Sequence, residues 1–220
     1  MPHQILTSAK SAMLKKYKDH VEERLQQGIP PLPLNAEQVA DLVELLKSPP
    51  AGEEEFILDL IKNRTPAGVD PAAYVKAAFL TALAKGETSS PLIDKKLATE
   101  LLGTMLGGYN VESLIKLLKD EEVGAIAADG LSKTLLMFNA KHEVIELAAE
   151  NENAKRVVES WSNGEWFTSK SKLPEVIKAI VFRVDGEINT DDFSPAQDAP
   201  SRPDIPLHAL AMLKKNMEDP

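Results

Sequence analysis

Cysteine is missing from the 220-residue chain. Its absence excludes disulfide bonds, thiolate zinc sites, a thiol nucleophile and the ligation of an iron–sulfur cluster by these residues. Long apolar runs are missing too, because no stretch approaches the roughly 20 residues that a membrane-spanning helix needs. We therefore expect no membrane contact and place the protein in the cytoplasm, which the lack of cysteine fits.

Positive charge is also scarce. Lys and Arg number 25 against 34 Asp and Glu, which gives a formal net charge of −9. The one mildly basic stretch, Lys10–Lys18, is offset soon afterwards by Glu22 and Glu23. Proteins bind nucleic acids through clustered Lys and Arg, so the composition argues against a DNA partner and disfavours an RNA site.

Two further chemical signatures are absent from the sequence. No histidine has a second ligand at metal spacing, and no H-E-x-x-H motif occurs, so no metal site is predicted. The glycines of L-G-T-M-L-G-G-Y-N are Gly103, Gly107 and Gly108. No strand precedes them and no Lys-Ser or Lys-Thr pair follows, so a tight turn between helices is favoured over a phosphate-binding loop.

The residues that are present predict helices. Near the start of the chain, apolar residues recur at three- and four-residue spacing: Leu14, Tyr17, Val21 and Leu25. This spacing predicts a helix with one buried stripe, which Gly28 and Pro30-Pro31 end. Asn35, with Gln38 three residues later, predicts a capped start for the next helix. Asp70-Pro71 predicts another helix start, with proline at the first helical position.

The pattern predicts more helices along the first three quarters of the chain: 53–63, Asp94–Met105, Val111–Lys119, Glu122–Phe138, His142–Ala149 and Asn153–Ser162. Short linkers predict antiparallel neighbours, and the helix pairs recur at roughly the 35 to 40 residues of two-helix solenoid units. We therefore predict a mainly α fold, with a HEAT-like antiparallel helical stack over residues 13–163. Residues 1–12 have too short an apolar core for a secretory signal and are predicted to be a disordered extension.

The pattern changes after Trp161. Residues 164–176 are predicted to be a linker, which Trp161 and Trp166 pack against the helical stack. Residues 177–184 form a β-branched run typical of a buried strand, and a proline-containing loop and a last helix follow. One strand and one helix cannot bury the face of a sheet, so residues 177–220 are predicted to be the incomplete start of an α/β domain.

Arg202 is the strongest candidate for ligand binding. It lies just before a predicted helix N-terminus, and a guanidinium fork beside free N–H groups suits a polycarboxylate. On these grounds alone, an ion pair with Asp198 or Asp204 that only orders the loop is equally well supported. Asp191 and Asp192 are likewise explained as ordinary turn and cap residues.

Three stretches carry a family resemblance. They are V-E-L-L-K-S-P-P-A-G-E-E-E-F (43–56), L-L-G-T-M-L-G-G-Y-N (101–110) and the long stretch from Gly186 to Lys214. In this order they resemble the N-terminal region of bacterial aconitase B, over nearly the whole chain from Met13 onward. The resemblance implies a HEAT-like domain followed by the start of an α/β swivel domain, with the family's later α/β domains lying outside these residues.

The resemblance implies a hydro-lyase activity for the full-length protein. That activity interconverts citrate and isocitrate through cis-aconitate and extends to 2-methylisocitrate. The resemblance also implies a [4Fe-4S] cluster on cysteines outside this chain, so that the 220 residues bind no cofactor and perform no catalysis alone. It further implies self-association and protein contacts through the helical domain, and messenger RNA as a partner of the cluster-free form.

The resemblance assigns roles to two residues. T-D-D-F-S-P-A (190–196) is similar to the wider aconitase pattern T-D-H-I-S-P-A. Arg202 then matches the arginine that grips a substrate carboxylate, and Asp191 matches an aspartate that supports the active site. Asp192 replaces the histidine of the wider pattern and receives no role. Ile188 and Pro200 also depart from the commoner Thr and Trp.

Two other functions compete with this one. A stand-alone helical adaptor, or a regulatory paralogue without catalysis, would bind a full-length aconitase or another protein through the surface of the stack. RNA binding would need a basic groove, which the composition does not indicate.

Overall fold

The fold is mainly α, as the sequence predicts. The computed structural model describes residues 2–26, 31–105, 107–134, 137–169, 172–178, 186–201, 208–209 and 211–213. Within these ranges the chain forms eleven α-helices and one 3₁₀ helix, and no β-strand. Most of the predicted strand over 177–184 lies outside the described residues, so the start of an α/β swivel domain stays a prediction, as do the domain boundaries.

The helices follow one another over short connections. In chain order they are α1 Pro2–Gln26, α2 Ala36–Lys47, α3 Glu54–Asn63, α4 Pro71–Ala84, α5 Lys95–Gly103, α6 Val111–Leu117, α7 Gly124–Lys133, α8 Ala140–Leu147, α9 Glu152–Ser162, α10 Glu165–Thr168 and α11 Thr190–Phe193, followed by the 3₁₀ helix Ala196–Ser201. In the part of the chain that the structure describes, no helix combines the length and apolar character needed to cross a membrane.

Side-chain caps fix several helix starts. Asn35 accepts a hydrogen bond from the Gln38 N–H at 2.9 Å, and the Gln38 side chain accepts one from the Asn35 N–H at 2.9 Å. Asp70 caps α4 with Pro71 at the first helical position. Both caps confirm the sequence prediction. Asp94, the predicted first residue of its helix, is instead the cap of α5. These caps satisfy N–H groups that have no partner within their helix.

The core runs through the stack as one continuous hydrophobic cluster. Helices α2, α4, α5, α7 and α9 pack each on the next, in that order. Each of them contributes a fully buried side chain: Leu42, Leu80, Leu102, Leu131 and Val157. Serial packing of this kind is typical of helical stacks, in which each unit contacts mainly its neighbours.

Helix α1 begins earlier than predicted. Residues 2–12, predicted to be a disordered extension, lie within α1. The physical reason is composition, because no glycine occurs before Gly28 and the only proline before that point is Pro2, which a first helical turn tolerates. Of the predicted buried stripe, Leu14 is 4% exposed, whereas Leu25 is 74% exposed and lies outside the core.

Helix α7 ends earlier than predicted. The predicted helix covers Glu122–Phe138, whereas α7 spans Gly124–Lys133. The Thr134 hydroxyl donates to the Gly130 carbonyl at 2.9 Å, and the backbone of Thr134 is extended. Phe138 lies beyond the helix in the left-handed region, with φ 46°. A hydroxyl that bonds a backbone carbonyl competes with helical hydrogen bonding, which accounts for the early end.

Helices α5 and α7 cross at a pair of glycines. A Cβ atom added to Gly130 would lie 2.8 Å from the Gly103 Cα, and one added to Gly103 would lie 3.0 Å from the Gly130 Cα. The two backbones therefore meet without intervening side chains, which only glycine allows. Gly107 and Gly108 lie in the predicted turn, with φ 132° and 81°. Gly103, predicted to lie in the same turn, is the last residue of α5.

Helix α1 is fastened to the segment before α2 through Leu32. The Tyr17 hydroxyl donates to the Leu32 carbonyl at 2.8 Å, and the Leu32 N–H donates to His20 Nε2 at 3.0 Å. Burial raises the pKa of Tyr17 to about 12; Arg64 opposes this shift and Asp59 adds to it. The hydroxyl therefore stays protonated, and able to donate, up to strongly alkaline pH.

We expect Tyr17 to make the free energy of unfolding fall at alkaline pH. Because its pKa in the fold lies above the ordinary value of 10.0, its contribution is complete below about pH 10 and is lost as the pH rises towards the folded pKa. The loss is at most about 1.4 kcal/mol per pH unit. Urea unfolding at about pH 9 and pH 11 should show a smaller fall for Tyr17→Phe than for the unchanged protein. An equal fall in both would contradict the assignment.

Candidate functional site

The stretch that carries the predicted site folds around a helix cap. Asn189 accepts hydrogen bonds from the N–H groups of Asp191 and Asp192, at 2.7 and 3.2 Å. In return, the Asp192 carboxylate accepts one from the Asn189 N–H at 2.8 Å. This capping box starts the short helix α11. Its signal is present in the sequence as Asn followed three residues later by Asp, which is weaker than the usual pairing with Glu or Gln.

The two aspartates of α11 therefore differ in role. Asp192 is occupied by the cap, and its carbonyl also accepts a hydrogen bond from the Leu213 N–H at 2.6 Å. The Asp191 side chain is exposed in the first turn of the helix, where the dipole favours a carboxylate. Of the two, Asp191 has the side chain that a ligand can reach.

The residues after α11 are tied back to it. The Ser194 N–H donates to the Thr190 carbonyl at 2.9 Å, and His208 Nε2 lies 2.9 Å from Ser194 Oγ. Pro195, the next residue, is buried. These hydrogen bonds connect the T-D-D-F-S-P stretch to α11 and to His208.

Arg202, the predicted substrate contact, lies outside the residues that the structure describes, and so does Asp204. The structure does describe Asp198, which the sequence offers as an ion-pair partner for Arg202. Asp198 is buried in the 3₁₀ helix, with 8% of its surface exposed, and its N–H donates to the Pro195 carbonyl at 3.0 Å. The burial of Asp198 has no signal in the sequence pattern.

A cavity of about 400 Å³ lies between this loop and the helical stack. Gln197 and Asp198 line it together with residues 33–36 and 70–71, at the starts of α2 and α4. The Leu34 N–H donates to the Arg64 carbonyl at 2.8 Å, which connects the segment before α2 to the end of α3.

The residues present do not fit an iron–sulfur cluster. Cysteine thiolates hold such clusters, and the chain has no cysteine. Across the described ranges, no three His, Asp or Glu side chains gather into a group that would hold a metal ion. A cluster in a full-length protein would need ligands from outside these residues.

A second candidate site is an apolar area on the side of the stack, which we call the aromatic surface: Val69, Tyr74, Tyr109 and Phe138. The two tyrosine rings pack edge to face, with centroids 5.1 Å apart and an interplanar angle of 74°. Beside them lies a hollow of about 760 Å³, which Val69 and Phe138 line together with Val111, Ile115 and the glycines of the α5–α6 turn. The aromatic surface thus combines projecting rings with an adjacent apolar hollow.

Phe138 is unusual within this surface. Its left-handed backbone, with φ 46°, costs a residue other than glycine about 1 kcal/mol or more. Its side chain is 79% exposed and gains little from burial. At the rim, Lys116 donates to Glu112, and this hydrogen bond is the main reason why the pKa of Glu112 is lowered. Phe138 is therefore an exposed aromatic residue in a costly backbone conformation, beside an ion pair at the rim of the surface.

The two tryptophans pack where the predicted linker begins. Trp161 Nε1 donates to the Leu131 carbonyl at 3.2 Å, which joins α9 to α7. Trp166 packs edge to face on Phe167, with centroids 4.7 Å apart, and its helix α10 contacts both α7 and α9. The predicted packing of this part of the linker against the stack is confirmed, whereas residues 172–178 are exposed.

Comparisons with known proteins agree with the motifs. Residues 16–167 match the family model of the aconitate B N-terminal domain, and residues 179–220 match that of the aconitate hydratase 2 N-terminus. Aconitate hydratase B of Pseudomonas aeruginosa is 64% identical over 203 residues, which cover 92% of this chain and 23% of that protein. Aconitate hydratase B of Escherichia coli is 60% identical, with 94% and 24% covered, and that of Helicobacter pylori is 49% identical, with 94% and 24% covered.

The chain spans about a quarter of the length of these curated relatives. The first family match covers most of the chain, and the second begins shortly after it and reaches Pro220. The family that the motifs of the sequence predict is thus confirmed. The chain belongs to the aconitate B N-terminal domain family.

Proposed function

We propose that this chain is the N-terminal region of an aconitate hydratase B, a cytoplasmic hydro-lyase that interconverts citrate and isocitrate through cis-aconitate and also acts on 2-methylisocitrate. One observation carries the proposal. Two family matches follow each other along the chain, and relatives named aconitate hydratase B are 49% to 64% identical to it over more than nine tenths of its length.

In this enzyme Arg202 binds a carboxylate of the substrate. A guanidinium presents its N–H donors in a fixed fork that matches a carboxylate in two hydrogen bonds. Asp191 supports the site from α11, where the Asn189 cap fixes its backbone and its side chain is exposed. These residues bind and orient the substrate. The [4Fe-4S] cluster of the full-length enzyme takes its ligands from outside this chain, which has no cysteine.

The native product tests this proposal. We would isolate it from source cells by immunoprecipitation, measure its intact mass by mass spectrometry and assay it for hydration of cis-aconitate. The expected species is roughly four times heavier than 24.0 kDa, since the chain covers 23% of a curated relative, and it hydrates cis-aconitate. A native product of 24.0 kDa without this activity would refute the proposal and favour a helical adaptor.

We further propose that the full-length protein self-associates through the aromatic surface. A symmetric dimer uses the same patch on both copies, so the patch must be complementary to itself. The aromatic surface meets this requirement, because Phe138 projects beside an apolar hollow of about 760 Å³. The ion pair between Lys116 and Glu112 at the rim reduces repulsion between two acidic copies.

We expect Phe138→Asn to weaken self-association at least about tenfold without loss of stability. Asparagine tolerates the left-handed backbone better than phenylalanine, so the free energy of unfolding should stay equal or rise slightly. Sedimentation velocity measures the association and urea unfolding measures the stability.

A matched control is Leu173→Asn, which removes an apolar side chain that is 84% exposed and lies outside the aromatic surface. This variant should associate like the unchanged protein. Equal association of the Phe138→Asn variant would contradict the assignment of this surface.

A further inference from the structure

We propose that two copies of the chain join in one orientation, with a two-fold axis at the start of α8. Phe138 of each copy then enters an aromatic-lined hollow of the other, and Lys141 of each copy meets Glu143 of the other. The inference rests on the proposed self-association through the aromatic surface. It adds the hollow that receives Phe138 and the pair of charges that sets the orientation.

A smaller hollow adjoins the loop that carries Phe138. Its volume is about 200 Å³, and Met137, Trp161 and Phe167 are among the residues that line it. Trp161 is held in place by its hydrogen bond to the Leu131 carbonyl. Met137 also lines the larger hollow of about 760 Å³ beside the aromatic surface. The two hollows are therefore neighbours, with one side chain in common.

The smaller hollow suits a phenyl ring. A cavity of about 150 Å³ is large enough to hold benzene, and aromatic and methionine side chains are favourable neighbours for a ring. Phe138 lines the larger hollow and is 79% exposed, and Phe167 lines the smaller one and is 68% exposed. Each hollow thus has an exposed phenylalanine at its rim, which the other hollow can receive.

Two opposite charges lie beside the two hollows. Lys141 lines the smaller hollow and Glu143 the larger one, two residues apart at the start of α8. Both are exposed, and neither forms an ion pair with another residue of the described ranges. The hydrogen bond to Glu112 is the main reason why the pKa of Lys116 is raised, and Glu143 adds only an electrostatic contribution. Lys141 and Glu143 are therefore open to a partner outside the chain.

A two-fold axis between the hollows satisfies all four groups. It places the larger hollow of each copy over the smaller hollow of the other, because a two-fold contact of residue i with j implies the contact of j with i. Phe138 then faces the smaller hollow, Phe167 faces the larger one, and Lys141 faces Glu143 in two equivalent pairs. An axis through either hollow would instead place like charges opposite each other. In a chain with a net charge of −9, a contact that joins opposite charges is the one that two copies can form.

The test exchanges the two charges in the full-length protein. Lys141→Glu and Glu143→Lys should each weaken self-association at least about tenfold, because each places like charges opposite each other in both pairs. An equal mixture of the two variants should associate within about threefold of the unchanged protein, because every pair then joins opposite charges again. Sedimentation velocity measures all three samples. Recovery in the mixture also shows that both variants are folded.

Two comparisons separate a specific pair from the overall charge. Glu143→Lys makes the chain less acidic, so an effect of net charge alone would strengthen association. Lys96→Glu is the matched control for Lys141→Glu, since it makes the same exchange at an exposed position. Lys96 lies in the first turn of α5, whereas the glycines of the larger hollow follow the end of that helix. This control should associate within about twofold of the unchanged protein, because salt screens distant charges.

The outcomes distinguish this orientation from the proposed surface. If Phe138→Asn weakens association but either charge variant associates like the unchanged protein, the orientation is wrong and the aromatic surface stands. A mixture that stays dissociated has the same meaning. If Phe138→Asn associates like the unchanged protein, the aromatic surface and the orientation are both overturned.

Discussion

Gly130→Ala should lower the free energy of unfolding by about 2 to 3 kcal/mol. The added Cβ would lie 2.8 Å from the Gly103 Cα, and a backbone atom cannot rotate away as the end of a side chain can. Helices α5 and α7 must therefore move apart, which disturbs the serial packing on both sides of them. Alanine favours a helix over glycine by about 1 kcal/mol. The expected net loss is therefore the cost of the clash less this gain in helix propensity. Urea unfolding of the chain measures it.

Ala125→Gly is the matched control for this prediction. Ala125 lies on the exposed side of the same helix, so the reverse exchange reports helix propensity without a change in packing. It should lower the free energy of unfolding by at most about 1 kcal/mol, the cost of glycine in a helix interior. If Gly130→Ala were instead stabilising by that amount, the two helices would not be in contact at Gly103 and Gly130.

Local sequence signals predict the helical part of the fold well. Asn35 with Gln38, and Asp70 with Pro71, identify helix starts because caps depend only on residues within one turn. Apolar residues at three- and four-residue spacing identify the buried faces, because this spacing too depends only on residues in neighbouring turns of one helix. Together these signals are sufficient to predict a mainly α fold.

Features that depend on distant residues are not predicted. The contact of Gly103 with Gly130 joins residues on two helices, and nothing near Gly103 distinguishes it from a turn glycine. The early end of α7 is a local feature that is also not predicted: the Thr134 hydroxyl bonds the Gly130 carbonyl four residues earlier, in competition with a hydrophobic pattern that continues as a helix.

Local residues predict one part of the candidate site and leave another part unpredicted. The α11 cap follows from local residues, although its Asn-x-x-Asp signal is weak. Asp198 lines a cavity together with residues more than a hundred positions earlier in the chain, at the starts of α2 and α4, and no local pattern predicts such a neighbour. Physical reasoning from the sequence leaves Arg202 undecided between a ligand and a neighbouring aspartate, and only the family resemblance favours the ligand.

Arg202→Ala in the full-length protein should lower kcat/KM about a hundredfold, which corresponds to about 3 kcal/mol of transition-state binding. KM should rise and kcat should fall, because the lost contact both holds the substrate and aligns it. Arg202→Lys should recover only part of the loss, since a lysine keeps the charge but not the fork. The assay is the hydration of cis-aconitate over a range of substrate concentrations.

The competing interpretation makes opposite predictions. If Arg202 only pairs with Asp198 or Asp204, its removal should leave kcat/KM unchanged and lower the unfolding midpoint by several degrees. If it binds substrate, the midpoint measured without substrate should hardly move, because no ion pair within the fold is lost. Arg156→Ala is the control for the loss of a guanidinium elsewhere, since Arg156 binds the Ala125 carbonyl at 3.1 Å on the stack. Its kcat/KM should match that of the unchanged enzyme, so that a loss confined to Arg202 reports the substrate carboxylate.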